Sequence, residues 1–564
     1  MTPAQPGSVE ILRPYLLPAL CIAAITAAGY WVFPGHTYLQ SDTQIYVPML
    51  EHLWNPGVFQ NDFMVRRPHL AFTIYDEMAI ALRRLTGLGF REALEAQQFL
   101  FRFLGLLGVF LLARSLRLAV RMALLVTAVF SLGAFIGGPT VLTVEYEPIP
   151  RAFALPLLFL AMGLIAHGRD LSAGVAASLA FLYHPTTTLA FWAIYFCLAV
   201  WPAGGFAAMR RRVLGLGPLL VAVVLLWIAS RLQPGVTESP DFLGRIAPWW
   251  EQMLRLRSTY LWVSLWYPHW YWHYAILLAV AAAAFARLRR QMPADLQFFL
   301  AGLPLLGVLS VPLSWLLLEH WKLAVAPQLQ VARNVLFITA GAVLMSMMAG
   351  IKAAQASRWW ESLLWFLAAL AVPVGDPVQW TLLLRLDDPV VRRRLLVAAG
   401  LAIAAAVIAW AEPRGWRWQR PAWALLAAAP FFLYPVAGKV VAVARPDTAQ
   451  ITELASWARS ATPVGSVFLF ADAGRGLEPG IFRAASLRAI YVDWKGGGQG
   501  NYLPSVAREW WKRWQAAGAL KFKGGDIGRF AALGVDYVAL RRETPAQGGT
   551  PVFENQTYKA YRLR

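Results

Sequence analysis

The sequence predicts a mainly α-helical, polytopic membrane bundle of about thirteen spans, closed by a small C-terminal α/β soluble domain. Three observations carry this. Of 564 residues, 58% are hydrophobic and 15% are charged, whereas a soluble chain carries about a quarter charged residues. Apolar runs long enough to cross a bilayer recur through residues 1–444. Past residue 445, β-rich runs alternate with amphipathic helical ones between glycine and proline breaks.

In chain order, spans are expected near residues 15–33, 97–113, 122–138, 152–167, 172–184, 186–201, 213–231, 273–287, 297–318, 334–350, 359–374, 396–411 and 421–441. The first is too long for the apolar part of a signal peptide, and another span soon follows, so it reads as uncleaved. The pair 172–184 and 186–201 is short for two crossings and reads equally as a shallow hairpin or one bent element. Arg114, Arg117 and Arg121, then Arg210 to Arg212, Arg287, Arg289 and Arg290, and Arg414, Arg417 and Arg420 fall in alternate loops. Basic loops mark the cytoplasmic side. This parity puts the N-terminus in the cytoplasm. The loop 35–96, the His184-Pro185 turn, the loop 232–272 and the tail 445–564 then face outside. Arg392 to Arg394 run against the pattern, partly balanced by Asp376, Asp387 and Asp388.

The net charge of +20 follows mostly from these loops. No zinc spacing, basic repeat or RNA-binding motif accompanies it, which excludes a nucleic-acid partner. Cys21 and Cys197, both within apolar runs, give neither a disulfide framework nor a metal motif. Trp249, Trp250, Trp262, Trp266, Trp270 and Trp272 crowd the loop 232–272. They fit an aromatic belt at the bilayer surface, or a groove for lipid or sugar.

In the tail, Asp447 is placed to cap a helix over 448–460. Strands are expected over 466–471, 488–493 and 535–540, helices over 502–517 and 526–533, and a closing hairpin over 551–563. Two glycine-rich turns, Asp472 to Gly476 and Lys495 to Gly500, follow strands. Such turns can cradle a phosphate, but neither has dinucleotide or P-loop spacing, and flexible loops account for them as well.

Four places combine ionisable groups with the outer end of a span. In the first loop, Ile45, Tyr46, Met49, Leu50, Leu53 and Trp54 recur at helical spacing, and Asn55-Pro56-Gly57 ends the helix. That stripe suits a helix lying in the membrane interface with Asp42 at its head. There a carboxylate can act on a lipid-linked substrate, although Ser41 or Asp42 as a plain helix cap explains the pattern too. In Thr143 to Arg151, Glu145 or Glu147 could orient a sugar hydroxyl, or hold a divalent cation with Asp42. Pairing of a carboxylate with Arg151 is the simpler alternative. His184 could contact a phosphate or shuttle a proton, or merely satisfy its own turn. Arg333 closes the polar island 319–334 and is the best phosphate clamp, because its planar fork binds two oxygens. An interfacial anchor is the alternative.

Taken together, Ser41-Asp42-Thr43-Gln44-Ile45-Tyr46 in a long first loop, the polar islands, and the tail segments 482–495, 533–538 and 552–563 resemble the GT-C superfamily of polytopic membrane glycosyltransferases. These include the oligosaccharyltransferase, protein O-mannosyltransferase and aminoarabinose-transferase types. Two features depart from the family pattern. There is no Asp-x-Asp pair at Asp42, so Asp62 or Glu145 would have to supply a second carboxylate to any metal. The Trp-Trp pairs at 249–250, 359–360 and 510–511 lack a following Asp.

The resemblance implies a sugar donor on polyprenyl phosphate or diphosphate. Asp42 would take the acceptor's proton. Arg333, with His184 or a metal, would stabilise the departing phosphate. Glu145, Glu147 and Arg151 would line the substrate site. Two other classes compete: a transporter or flippase, marked by prolines within spans, and a non-catalytic scaffold in surface-polysaccharide assembly.

Overall fold

A helix bonds its backbone amides and carbonyls within its own segment except at its ends, so apolar runs in lipid become helices. The computed structural model describes residues 8–67, 73–136, 138–139, 141–201, 205–232, 244–371, 447–518 and 522–564. The spans expected over 396–411 and 421–441 and the arginines at 392–394, 414, 417 and 420 lie outside the described residues.

Fifteen helices form before the tail among the described residues. They are α1 (Ser8–Trp31), α2 (Thr43–Trp54), α3 (Tyr75–Thr86), α4 (Phe90–Ser115), α5 (Val120–Ser131), α6 (Pro150–Ala166), α7 (Asp170–Tyr183), α8 (Pro185–Val200), α9 (Gly205–Leu232), α10 (Pro248–Arg257), α11 (Pro268–Leu288), α12 (Ala294–Ser314), α13 (Ala326–Leu329), α14 (Leu336–Gln355) and α15 (Trp359–Ala371). Five helical stretches, Phe90–Ser115, Gly205–Ala229, Trp270–Gln291, Ala294–His320 and Ala326–Gln355, are long and apolar enough to cross a bilayer. Shorter apolar helices accompany them, and the chain is a multi-pass membrane protein. A small hairpin of β1 (Phe135–Ile136) and β2 (Val141–Leu142) follows α5.

The helices meet where side chains are smallest. A Cβ on Gly108 of α4 would lie 2.3 Å from the Phe159 carbonyl of α6, and one on Gly174 of α7 would lie 2.0 Å from the Gly215 carbonyl of α9. Such backbone-to-backbone approach drives helix association where lipid removes the hydrophobic incentive. At the α7, α9 and α12 junction, Arg211 pairs with Asp170, and Arg212 with Asp295 at 2.6 Å. The central helix α14 is buried along nearly its whole length. His184-Pro185 separates α7 from α8 cleanly, because proline at the first helical position starts one helix and cannot continue another.

The tail folds as α16 (Ala449–Ala461), β3 (Val467–Phe470), α17 (Glu478–Ser486), β4 (Ala489–Ile490), α18 (Pro504–Ala517), β5 (Gly525–Asp526), β6 (Tyr537–Arg541), β7 (Ala546–Gln547), β8 (Phe553–Glu554) and β9 (Tyr558–Arg562). Five strands make one sheet in the order β4-β3-β6-β9-β8. β3 runs parallel to β4 and β6, and β9 returns antiparallel between β6 and β8. Thr448, not Asp447, caps α16, accepting from the Ile451 amide. The expected helix over 526–533 is a 3₁₀ segment at Gly528–Leu533.

Two expectations need correction. The α2 stripe does not lie against lipid: residues 43–50 are all buried, and only Leu53 and Trp54 at its far end are exposed. The tail covers it, and Gly480 of α17 leaves room for Gln44. The tryptophans of 249–272 are mostly not a belt either. Trp250, Trp262 and Trp266 are buried, and the first two share a core with Trp510 and Trp514 of α18. Trp272, 72% exposed, alone of the six presents most of its ring outward.

The first loop and the tail are also joined by charge. Arg483 lies between Asp62, at 3.0 Å, and Asp493, and the side chains of Asp62 and Arg483 are fully buried. Asp62 further accepts from the amides of Met64, Val65 and Ile490, each at 3.1 Å. Removing one member of a buried charge cluster strands the others. Arg483→Met should therefore cost about 3–5 kcal/mol and detach the tail sheet from the first loop. Denaturant unfolding and limited proteolysis around residue 447 would report both, and unchanged stability would remove the cluster from this role.

Candidate active site

Four segments distant in sequence gather at one end of the bundle: the start of α2, residues 143–151, the polar island 319–334, and the tail loop after β4. The first two are zipped together. Thr37 donates its amide to the Tyr146 carbonyl at 3.0 Å. Buried Arg102 reaches the carbonyls of Gly35, at 3.0 Å, and Glu145, at 2.6 Å.

The chain entering α2 is then held from outside. Asp42 occupies the N-cap position but makes no side-chain cap bond. Glu147 accepts instead from the amides of Ser41 (2.6 Å) and Asp42 (2.9 Å) and from the Thr43 hydroxyl (2.7 Å). Burial, followed by the Asp42 charge, pushes the Glu147 carboxyl above its ordinary range. Asp42 extends to Lys495, with its Oδ1 2.7 Å from the ammonium. Lys495 also donates to the Ser41 hydroxyl.

Loss of bulk water would raise the Asp42 carboxyl. Lys495, by charge and hydrogen bond, and then Arg151 and Arg333 outweigh that and hold it well below the usual carboxylate range. Yet 35% of the Asp42 side chain is accessible. Asp42 is not a lining residue of the small hollow between Arg151, His184 and Arg333.

Arg151, His184 and Arg333 line one small hollow, with Thr186, Thr187 and Gln330 on its wall. Arg151 is held by Glu145 at 2.6 Å, both side chains being buried. His184 caps α8: its Nδ1 accepts from the Thr187 amide at 3.2 Å, which places the proton of a neutral ring on Nε2. The Arg333 guanidinium lies over the Tyr260 ring, 4.9 Å from its centroid, and its buried Nε has no hydrogen-bond partner.

The residues read from sequence thus fall into three groups. Arg151, His184 and Arg333 share a hollow, and two of them act electrostatically on Asp42. Glu145 and Glu147 are positioning groups, one for Arg151 and one for α2. Asp62 belongs to the cluster with Arg483, remote in role from Asp42. Asp42, Asp62 and Glu145 do not form a metal site: each already faces its own cation, and among the described residues no group of three acidic, His or Cys side chains is placed to hold an ion. A divalent cation does not fit this donor set, and no step below uses one.

Sequence reading missed Lys495, Tyr502 and Arg257. Tyr502 accepts from Gln330 at 3.1 Å through its hydroxyl and from Gln328 at 3.0 Å through its carbonyl. Burial pushes its phenol up to about 12. Arg257 bonds the carbonyls of Trp494 (2.6 Å) and Lys495 (3.0 Å), fixing the backbone from which Lys495 projects. The one signal was Lys495 at the head of a glycine run, but those glycines serve packing. A Cβ would lie 2.6 Å from Trp510 at Gly497 and 2.4 Å from Met253 at Gly500.

Glu147→Ala removes the acceptor of three donors and should cost about 1–3 kcal/mol. Thr43→Val, which loses one bond, should cost less. Thermal unfolding of the two variants checks the order, and equal effects would deny Glu147 its role in fixing the start of α2.

No family model matches the sequence, and no curated protein matches it. Among solved structures, the fold is similar to ArnT from Cupriavidus metallidurans in the apo state, with 12% identity, a TM-score of 0.47 and 98% of each chain covered. It is also similar to the arabinofuranosyltransferase AftD from Mycobacteria, with 15% identity and a TM-score of 0.44 over 98% of this chain. Only 41% of that longer protein is covered. At such modest scores the chemistry of the site has to be argued from this chain's own residues.

Proposed function

We propose that this protein is a membrane glycosyltransferase that moves a sugar from a polyprenyl-phosphate or -diphosphate carrier to an acceptor at the outer face of a bacterial cytoplasmic membrane. The observation that carries the reading is Asp42. It makes no cap bond of its own, meets Lys495 at 2.7 Å, and feels the charges of Arg151 and Arg333, which line one small hollow.

The cations exceed what the carboxylates neutralise. Glu145 pairs with Arg151, and Asp42 with Lys495. Glu147 is spent on α2. No carboxylate lies within ion-pair distance of Arg333 among the described residues. A buried cation without a counter-ion is costly, and a phosphate is an anion that its planar fork fits. The donor's hydrocarbon chain requires that such a site open to lipid, which suits a bundle of apolar helices.

Transfer breaks the bond between the anomeric carbon and the phosphate oxygen, and the electron pair leaves with phosphate. Arg333, with Arg151 and His184 on the same wall, meets that growing negative charge where water is scarce. The acceptor oxygen bonds to the anomeric carbon, and its proton passes to Asp42. Asp42, kept ionised by its surroundings, also faces the positive charge that develops on the sugar.

The polar groups gather at one end of the bundle. This arrangement favours surface chemistry over the midplane binding site expected of a transporter. The scaffold reading would set Asp42 against Arg66 or Arg67, but it pairs with Lys495, and Arg67 reaches Ser505 at 3.4 Å.

Asp42→Asn should lower transfer about 10²–10⁴-fold with the melting temperature within a few degrees of wild type. Arg333→Met should weaken donor binding and slow transfer together. Radiolabelled sugar transfer in membranes from an expressing strain measures both, and full activity of Asp42→Asn would end the catalytic reading.

A further inference from the structure

Lys495 comes from the tail, 453 residues after the carboxylate it meets, yet it sits within the site. Its side chain is 14% exposed. Its two side-chain partners, Asp42 and Ser41, are both on the first loop. The backbone beneath it is rigid. Arg257 holds the carbonyls of Trp494 and Lys495, Asp493 accepts from the Gly496 amide at 3.1 Å, and Trp510 donates to the Asp493 carbonyl at 2.7 Å. Only the flexible four-carbon stem is left to move.

Other bonds already hold these parts together: Glu147 fixes the start of α2, and the Asp62–Arg483–Asp493 cluster joins the tail to the first loop. Meanwhile the pairing occupies the carboxylate that an acceptor hydroxyl must reach. Around Asp42 stand Arg151 and Arg333 from the membrane helices, Glu147 from the loop before α6, Tyr46 from α2 and Tyr502 from the tail.

We propose that Lys495 is a catalytic residue of this site that exchanges partners: it leaves Asp42 for the phosphate of the incoming lipid carrier, which uncovers Asp42 for the acceptor. The inference rests on the glycosyl-transfer reading above and deepens it by assigning the tail a direct part in donor recognition. The ammonium stays protonated throughout. It moves from one anion to another, donates a hydrogen bond to the leaving phosphate oxygen as the glycosidic bond breaks, and returns to Asp42 when the carrier departs. An empty site is thereby charge-balanced at Asp42, and the carboxylate gives up its ammonium partner only when a donor is in place.

The test is binding of a short-chain polyprenyl monophosphate without sugar to the detergent-purified full chain, followed by tryptophan fluorescence. Wild type should bind it, and Lys495→Met should weaken binding about ten- to a hundredfold, the worth of one charge-assisted hydrogen bond. Lys495→Arg should restore most of the loss. Asp42→Asn carries the sharper demand. If Lys495 must leave Asp42, neutralising the carboxylate frees it, so this variant should bind the carrier at least as tightly as wild type. Failure of wild type to bind would sink the glycosyl-transfer reading itself. Wild-type binding with Lys495→Met unchanged, or weaker binding in Asp42→Asn, would overturn the exchange alone. Competition arms with inorganic phosphate and with phosphatidylglycerol separate the sources of the anion. Displacement of the carrier by either at equal concentration would make Lys495 a general anion contact and overturn the assignment. In a transfer assay Lys495→Met should raise the donor KM more than it lowers kcat, a split that a structural role would not produce.

Discussion

The site depends on one carboxylate that fixes the start of α2 from more than a hundred residues away. The first turn of a helix leaves amides without partners and carries a partial positive charge. A local Asp or Ser normally answers both needs. Here the Gln44 and Ile45 amides bond the Ser41 and Asp42 carbonyls. Glu147 holds the chain just ahead of them through the Ser41 and Asp42 amides and the Thr43 hydroxyl, because Arg102 and the Thr37–Tyr146 bond fix its segment against the first loop. The consequence is geometric. Asp42 keeps the N-cap position but makes no cap bond, and its side chain pairs with Lys495.

From there the charge pattern follows. Glu147 is buried next to Asp42, and two like charges that close disfavour each other. The arrangement holds because the two are answered differently, Glu147 by amides and a hydroxyl, Asp42 by an ammonium. Glu145 takes Arg151. Arg333 retains an aromatic face and a neighbouring guanidinium, neither of which neutralises it. A low-dielectric pocket arranged in this way is prepared for an anion before any arrives, which is the condition for electrostatic stabilisation without reorganisation.

Much of this was legible in the sequence, for identifiable reasons. Apolar runs report spans because lipid allows the backbone no other solution, and α4, α6 to α9, α11, α12 and α14 fall where the runs lie. Asp42, His184 and Arg333 stood out because ionisable groups at span ends are costly. Partner choice was not legible. Nothing local distinguishes Glu145, which takes Arg151, from Glu147, which takes α2. Asp62 stood as a candidate second carboxylate for a metal until Arg483, over four hundred residues on, claimed it. The α2 stripe had the period of an interfacial helix, but periodicity reports a buried face and not what buries it. The tryptophans of 249–272 misled for the same reason: indoles suit a membrane surface and a protein seam alike.

The tail is where local reading fails most and where the fold explains most. Its glycine run looked like a loop shaped for a ligand or left free to flex. Gly497 and Gly500 are small because Trp510 and Met253 occupy the space a side chain would take, so the run is a tightly packed strut. A strut matters to the chemistry because a lysine on a mobile loop would surrender much of its hydrogen-bond energy to lost freedom. With Arg257 and Trp510 holding the main chain, that cost is met in folding, and the ammonium arrives at Asp42 already placed. The seam of Asp62, Arg483 and Asp493 sets the height of the strut, since Asp493 also takes the amide of Gly496. A stabilising cluster and a reacting group thus share one residue's carboxylate, which is why the tail cannot loosen without the site losing its lysine.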